Sequence, residues 1–110
     1  VHWALAYANQ HPTISMEILD LRSLMPLDYN AIEKTVRKTN RVLVLHEDNL
    51  TGGIGAEIAA WISEHCFQYL DAPVMRCGSL DTPIPFSPEL EQQYLAKARL
   101  HDAMQKLLNY

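Results

Sequence analysis

Three polar residues in a row, His46-Glu47-Asp48, stand between the apolar run Val42 to Leu45 and the glycine-rich turn Thr51-Gly52-Gly53-Ile54-Gly55. A histidine beside carboxylates suits acid–base chemistry, and a glycine turn that opens a helix offers backbone N–H groups to an anion. His46, Gly52 and Gly53 are therefore a candidate anion site. The spacing excludes sharper versions: neither Gly-x-Gly-x-x-Gly nor a turn ending Gly-Lys-Ser/Thr is present. Neighbouring strand residues point to opposite faces, and no nucleophile accompanies the triplet. The competing reading is structural. His46 closes the strand, Glu47 and Asp48 hydrogen-bond the turn, and Gly52, Gly53 and Gly55 form a turn that lets a helix pack close to its strand.

The remaining reactive residue types point nowhere in particular. Cys66 and Cys77 lack Cys-x-x-Cys spacing, which argues against a disulfide scaffold or structural zinc and fits a reducing compartment. His2, His11, His65 and His101 are scattered, and no third ligand stands at metal spacing from His65 and Cys66. Arg22 and Arg76, at expected strand ends, suit a carboxylate or phosphate; with 13 acidic residues available, an internal partner is expected.

These residues need elements to position them. Trp3, Leu5, Ala6 and Ala8 suit a short helix that stops before His11-Pro12. Ile14, Met16 and Ile18 alternate with Ser15, Glu17 and Leu19, which predicts a strand over residues 14–20. Asp28 is placed to cap a helix over 28–39, with Ala31, Ile32, Thr35 and Val36 on its inner face and Glu33, Lys34, Arg37 and Lys38 outside. The run 42–45 predicts a parallel strand buried on both faces. Ile54, Ile58, Trp61, Ile62, Cys66 and Tyr69 then recur at helical spacing up to Leu70-Asp71-Ala72-Pro73. A third strand is expected over 74–77, closed by Gly78. Prolines make 81–88 an extended surface connector. Glu89 to Tyr110 is predicted helical, with Ser87 as its cap and Pro88 in its first turn. Its stripe Leu100, Ala103, Met104, Leu107 and Leu108 should dock on the sheet.

Strand and helix patterns alternate without repeats or long linkers, so one α/β domain over residues 1–110 is expected, built as a three-layer α/β/α unit. The 48% hydrophobic and 20% charged content is that of an ordinary globular chain. A formal net charge of −4 argues against nucleic acid as partner and leaves room for a basic protein. No apolar run approaches the roughly 18 residues of a membrane span, so no membrane partner is expected.

Several segments together carry a resemblance. Glu17-Ile18-Leu19-Asp20-Leu21-Arg22-Ser23-Leu24 with Pro26-Leu27-Asp28, then His46-Glu47-Asp48, Thr51-Gly52-Gly53-Ile54-Gly55-Ala56-Glu57-Ile58, Leu70-Asp71-Ala72-Pro73 and Asp81-Thr82-Pro83-Ile84-Pro85 span essentially the whole chain. They resemble the transketolase C-terminal domain of beta subunits of 2-oxoacid dehydrogenase decarboxylating components. Arg76-Cys77-Gly78 leading to Asp81-Thr82-Pro83, and the ending Leu107-Leu108-Asn109-Tyr110, are most similar to the branched-chain (2-oxoisovalerate) type, with pyruvate as the runner-up substrate.

The resemblance implies an α2β2 or fused assembly, in bacterial cytoplasm or mitochondrial matrix, that uses thiamine diphosphate and magnesium to decarboxylate a 2-oxoacid and acylate the lipoyl arm of an acyltransferase. It implies no catalytic or cofactor-binding residue in this chain, which has no Gly-Asp-Gly motif. Its role would be assembly with alpha and beta subunits and docking of the acyltransferase's basic peripheral subunit-binding domain. Asp71 and the terminal carboxylate at Tyr110 match docking positions, a chemistry that suits pairing with Arg or Lys; read alone, Asp71 is a turn residue ahead of Pro73. An independent anion-binding α/β module is the alternative. The family domain also carries two strands ahead of the first helix, one of them mid-sheet. The mostly parallel sheet is thus expected to lack its N-terminal strands here, in a piece of a longer polypeptide.

Overall fold

The computed structural model describes residues 1–23, 25–81 and 87–110. Its elements run α1 (His2–Gln10), α2 (Tyr29–Thr39), β1 (Leu43–Asn49), α3 (Ile54–His65), β2 (Met75–Ser79), α4 (Pro88–Tyr94) and α5 (Leu100–Leu108), with single 3-10 turns at Phe67–Tyr69 and Ala96–Arg99. Strands alternate with helices, and β1 and β2 pair in parallel as a crossover through α3 requires.

The sheet is the middle of three layers. On one side Ile32 and Val36 of α2 meet Ile58 and Ile62 of α3 and Cys66, with Val44 of β1 and Val42 just before it against them. On the other, Tyr7 of α1, Cys77 of β2, Ala96, and Leu100 and Met104 of α5 pack together, with Leu43 and Leu45 against them. Alternate β1 side chains thus face opposite helical layers, as the pleat dictates. Ile62, only 1% exposed, contributes on the order of 1.5–3 kcal/mol by burial.

Helix ends follow local chemistry. The Asp28 carboxylate accepts from Ala31 N at 3.1 Å and caps α2. Asn40 ends that helix in the left-handed region at φ 63°, where its N–H reaches Val36 O. Arg37 and Glu33 pair at 2.9 Å on the outer face, one turn apart.

Four expectations are corrected. Residues 14–20 form no strand: Ile14, Met16 and Ile18 are half-buried while Ser15, Glu17 and Leu19 are exposed, so the alternation is real, but among the described residues no ladder partner lies alongside. β2 runs through Gly78 to Ser79 instead of closing at Gly78, because a glycine there makes room for a β1 side chain. The helix expected to reach Tyr69 breaks at Cys66 (φ −123°, ψ 12°) and resumes as a 3-10 turn. The C-terminal helix is two helices parted by extended Leu95 (φ −68°, ψ 149°) and a 3-10 turn, which lets Ala96 bury completely. The stripe Leu100, Met104 and Leu107 is buried as expected. The expected connector lies largely outside the described residues, since Thr82–Phe86 are among those not described.

Candidate functional site

Two places gather the residues singled out by sequence. The first is the junction of β1, the glycine turn and α3. Register slips here: Leu45 pairs with Cys77 but Asn49 with Ser79, so four steps along β1 oppose two along β2. The irregularity falls on His46-Glu47-Asp48, and such bulges re-aim side chains. His46 turns inward. A Cβ on Gly53 or Gly78 would lie 2.8 Å from His46 Cε1, and one on Gly55 would collide with Cδ2 and Nε2. Three glycine backbones thus cradle one imidazole. Gly52 has a separate duty, holding φ 78° at the turn.

Among the described residues, neither ring nitrogen of His46 has a hydrogen-bond partner, and both are buried. The ring sits against α3's first turn, beside Gly55. The carboxylate holding the turn is not Glu47 or Asp48, as expected, but Asp81. Its Oδ1 accepts from Thr51 N at 2.8 Å and its Oδ2 from Thr51 Oγ1 at 2.6 Å. Those bonds keep the Asp81 carboxyl below its ordinary range. Arg76 donates to Leu50 O at 3.0 Å, a carbonyl partner where an acidic one was expected. Arg22 does find a carboxylate, Asp20, at 3.7 Å. Glu47 contributes through its backbone, its carbonyl accepting from the Ser79 hydroxyl. Asp81 was missed because a residue thirty positions from Thr51, beside prolines, reads as loop; its offer of two acceptors was the available signal.

The second place is the corner after α3. Asp71 is exposed, and its backbone N–H donates to Asn40 O at 2.8 Å. Asn40 Nδ2 donates to Tyr69 O at 2.7 Å, and the Arg37 guanidinium lies 4.5 Å from the Tyr69 ring centroid. The end of α2 therefore fixes the chain on both sides of Leu70, while Ala72 is buried. Nearby Phe67 is 74% exposed. Tyr110, beyond α5, is also exposed, and no hydrogen bond or ion pair among the described residues joins it to Asp71.

Among the described residues no three His, Cys, Asp or Glu gather as a group that could hold a metal ion. Cys66 and Cys77 are both buried, and burial pushes their thiols up, away from nucleophilic reactivity. No described helix is long and apolar enough to cross a membrane.

The family profile described as "Transketolase, C-terminal domain" matches residues 1–99. This chain belongs to the transketolase C-terminal domain family. Among similar proteins, the beta 2 subunit of mitochondrial 2-oxoisovalerate dehydrogenase from Arabidopsis thaliana is 48% identical over 98 residues, 88% of this chain and 27% of its own length. The beta subunit of the pyruvate dehydrogenase E1 component from Porphyra purpurea is 47% identical over 94 residues, 84% of this chain and 28% of its own. The 2-oxoisovalerate dehydrogenase beta subunit of Bacillus subtilis is 39% identical over 114 residues, covering 100% of this chain and 35% of its own. This transketolase C-terminal domain thus spans about a quarter to a third of the length of the curated relatives it matches.

Proposed function

We propose that this chain is the assembly and partner-docking domain of the beta subunit of a thiamine diphosphate-dependent 2-oxoacid dehydrogenase, of the branched-chain 2-oxoisovalerate type. It is part of a longer subunit that works with alpha and beta partners, in the compartment of that parent enzyme. Oxidative decarboxylation, and the binding of thiamine diphosphate and magnesium, belong to other parts of the enzyme. The carrying observation is the match of residues 1–99 to the transketolase C-terminal domain, together with relatives whose names are dehydrogenase beta subunits. Relatives of the pyruvate type match comparably over this chain, which makes a pyruvate dehydrogenase the second reading.

Docking falls to Asp71 and Tyr110. Asp71 supports this reading by being exposed while its backbone is held by Asn40, because a pre-positioned carboxylate loses little freedom when it pairs with a cation. Rim charges of this kind act mainly on association rate and its dependence on salt. The test is calorimetry of the parent enzyme with the subunit-binding domain of its acyltransferase at low and high salt. Asp71→Ala is expected to weaken binding at least tenfold at low salt and to flatten the salt dependence. Unchanged affinity and slope would remove the assignment.

A further inference from the structure

Cations on this acidic domain are gathered on one helix. Lys34, Arg37, Lys38 and Arg41 are four of its nine Lys and Arg, set close together in a chain with 13 acidic residues and a net charge of −4. Within α2, Lys34, Arg37 and Lys38 stand three and four apart, which puts them on one face, opposite the buried Ile32 and Val36. Arg41 follows just beyond the left-handed Asn40, and all four are exposed. Attraction to the carbonyls at the helix end accounts for Arg37 and Lys38, which stand in the last turn. Lys34 lies before that turn and Arg41 after the helix, so the helix dipole does not account for them.

Internal carboxylates answer part of this charge. Lys38 Nζ lies 2.7 Å from Glu17, and Arg37 donates to Glu33 Oε1 from both Nε and Nη2, at 3.1 and 2.9 Å. Among the described residues no ion pair reaches Lys34 or Arg41. Arg37 is fixed without being covered: Glu33 takes one edge, the Tyr69 ring centroid lies 4.5 Å from its guanidinium carbon, and its side chain is still 56% exposed. A guanidinium held in this way presents its remaining N–H groups in a set direction, so a carboxylate that meets it finds little side-chain freedom left to lose. A shallow depression lined by Asn30, Glu33, Lys34 and Arg37 gives such a carboxylate a seat beside the lysine.

We propose that this face of α2 is an interaction surface for the acidic face of another protein, whose carboxylates seat on Lys34, Arg37 and Arg41. Charge complementarity selects the partner. Residues 34–41 span only about 10 Å at helical rise, room for two or three carboxylates. The domain as a whole is acidic and repels an extended polyanion such as nucleic acid, whose charge is continuous along its length. A single small anion meets exposed, water-screened cations and gains little. Several exposed pairs acting together give fast, salt-sensitive and reversible association, so the surface fits a partner that visits rather than one that stays. The inference does not rest on the docking role of Asp71, which offers charge of the opposite sign to a different partner.

The parent enzyme, titrated at low ionic strength into a fluorescein-labelled peptide of glutamates and followed by anisotropy, tests it. Binding is expected to the polyglutamate peptide and not to its glutamine counterpart, and it should weaken about tenfold or more between roughly 20 and 200 mM salt. Changing Lys34→Ala and Arg41→Ala together is expected to weaken it by about fivefold or more with the melting temperature unchanged, because neither side chain has an ion-pair partner among the described residues. Lys106→Ala, which removes an exposed cation on α5, should leave affinity within about twofold. A water-soluble carbodiimide, which joins a carboxylate to an amine in contact with it, is expected to couple the peptide to Lys34 or Lys38, as read by mass spectrometry. Unchanged affinity in the double variant, coupling only at lysines elsewhere, or equally tight binding of an oligothymidine of equal charge would overturn the proposal. So would absence of peptide binding by the parent enzyme, which would mean that this face is covered or inert in the assembly.

Discussion

The carboxylate of Asp81 holds Thr51 by both its backbone N–H and its hydroxyl, at 2.8 and 2.6 Å, across thirty residues of sequence. The hydroxyl bond and then the backbone bond depress the carboxyl's pKa. A group whose folded value lies below its unfolded value stabilises the fold above the ordinary value, 3.8, and loses that contribution as pH falls through the lower folded value. Asp81→Ala is expected to lower the melting temperature by a few degrees at pH 7. The gap from the parent protein should close as pH falls through the lowered folded value, and a gap that persists unchanged in acid would contradict the linkage. Glu17, depressed by Lys38 and then Thr35, titrates with the same sign, so only the difference between variant and parent protein isolates Asp81.

The imidazole of His46 and the glycines around it form a coupled unit. Gly55→Ala should cost about 1–3 kcal/mol from overpacking, offset by up to ~1 kcal/mol of better helix propensity. In a His46→Ala background the same change is expected to be neutral or stabilising. Denaturant unfolding of the four proteins of this cycle gives the coupling directly. Equal effects in both backgrounds would mean the ring is not what Gly55 accommodates.

Asn40 links the fold to the proposed docking corner. Alanine there must adopt φ 63°, at a cost of about 1–2 kcal/mol, and also loses the bond to Tyr69 O. Asn40→Gly keeps the backbone comfortable and loses only the side-chain bonds, to Tyr69 O and Arg37 O. Both variants are expected to weaken partner binding by loosening Asp71, with Asn40→Ala also lowering the unfolding midpoint. Undiminished binding by a folded Asn40→Gly protein would show that the corner is held by other means.

Both thiols should be silent in the native state. Cys66 is 0% and Cys77 3% exposed, and Cys77 Sγ donates to Ala96 O at 3.3 Å. At pH 8, iodoacetamide labelling of either residue is expected to track global unfolding, slowing as denaturant is removed. Labelling at the rate of a free thiol in native buffer would place that cysteine at the surface.

Elements with their own period and punctuation were legible from sequence. Asp28 announced α2, the run 42–45 announced β1, and the spacing from Ile54 to Ile62 announced α3. What escaped depended on partners distant in sequence. Residues 14–20 alternate as a strand does, but a ladder needs a neighbour, and periodicity says nothing about whether one is present. Leu95 breaks a helical composition because burying Ala96 against β2 outweighs local propensity. The enclosure of His46 needed Gly78, thirty-two residues away, to be folded against it. Glycines in the turn hinted at a close approach without saying to what.

The pairing of Leu43 with Met75 has a consequence for synthesis. A ribosome adding about 5–20 residues per second releases β1 roughly 2–6 s before its ladder mate exists. During that interval the emerging chain can shield Val42 and Val44 with α2 and α3, whereas the cover over Leu43 and Leu45, begun by Tyr7 of α1, stays incomplete until α5 has been translated. The nascent domain is therefore one-sided, and any chaperone that attends it should recognise the face that α5 eventually covers.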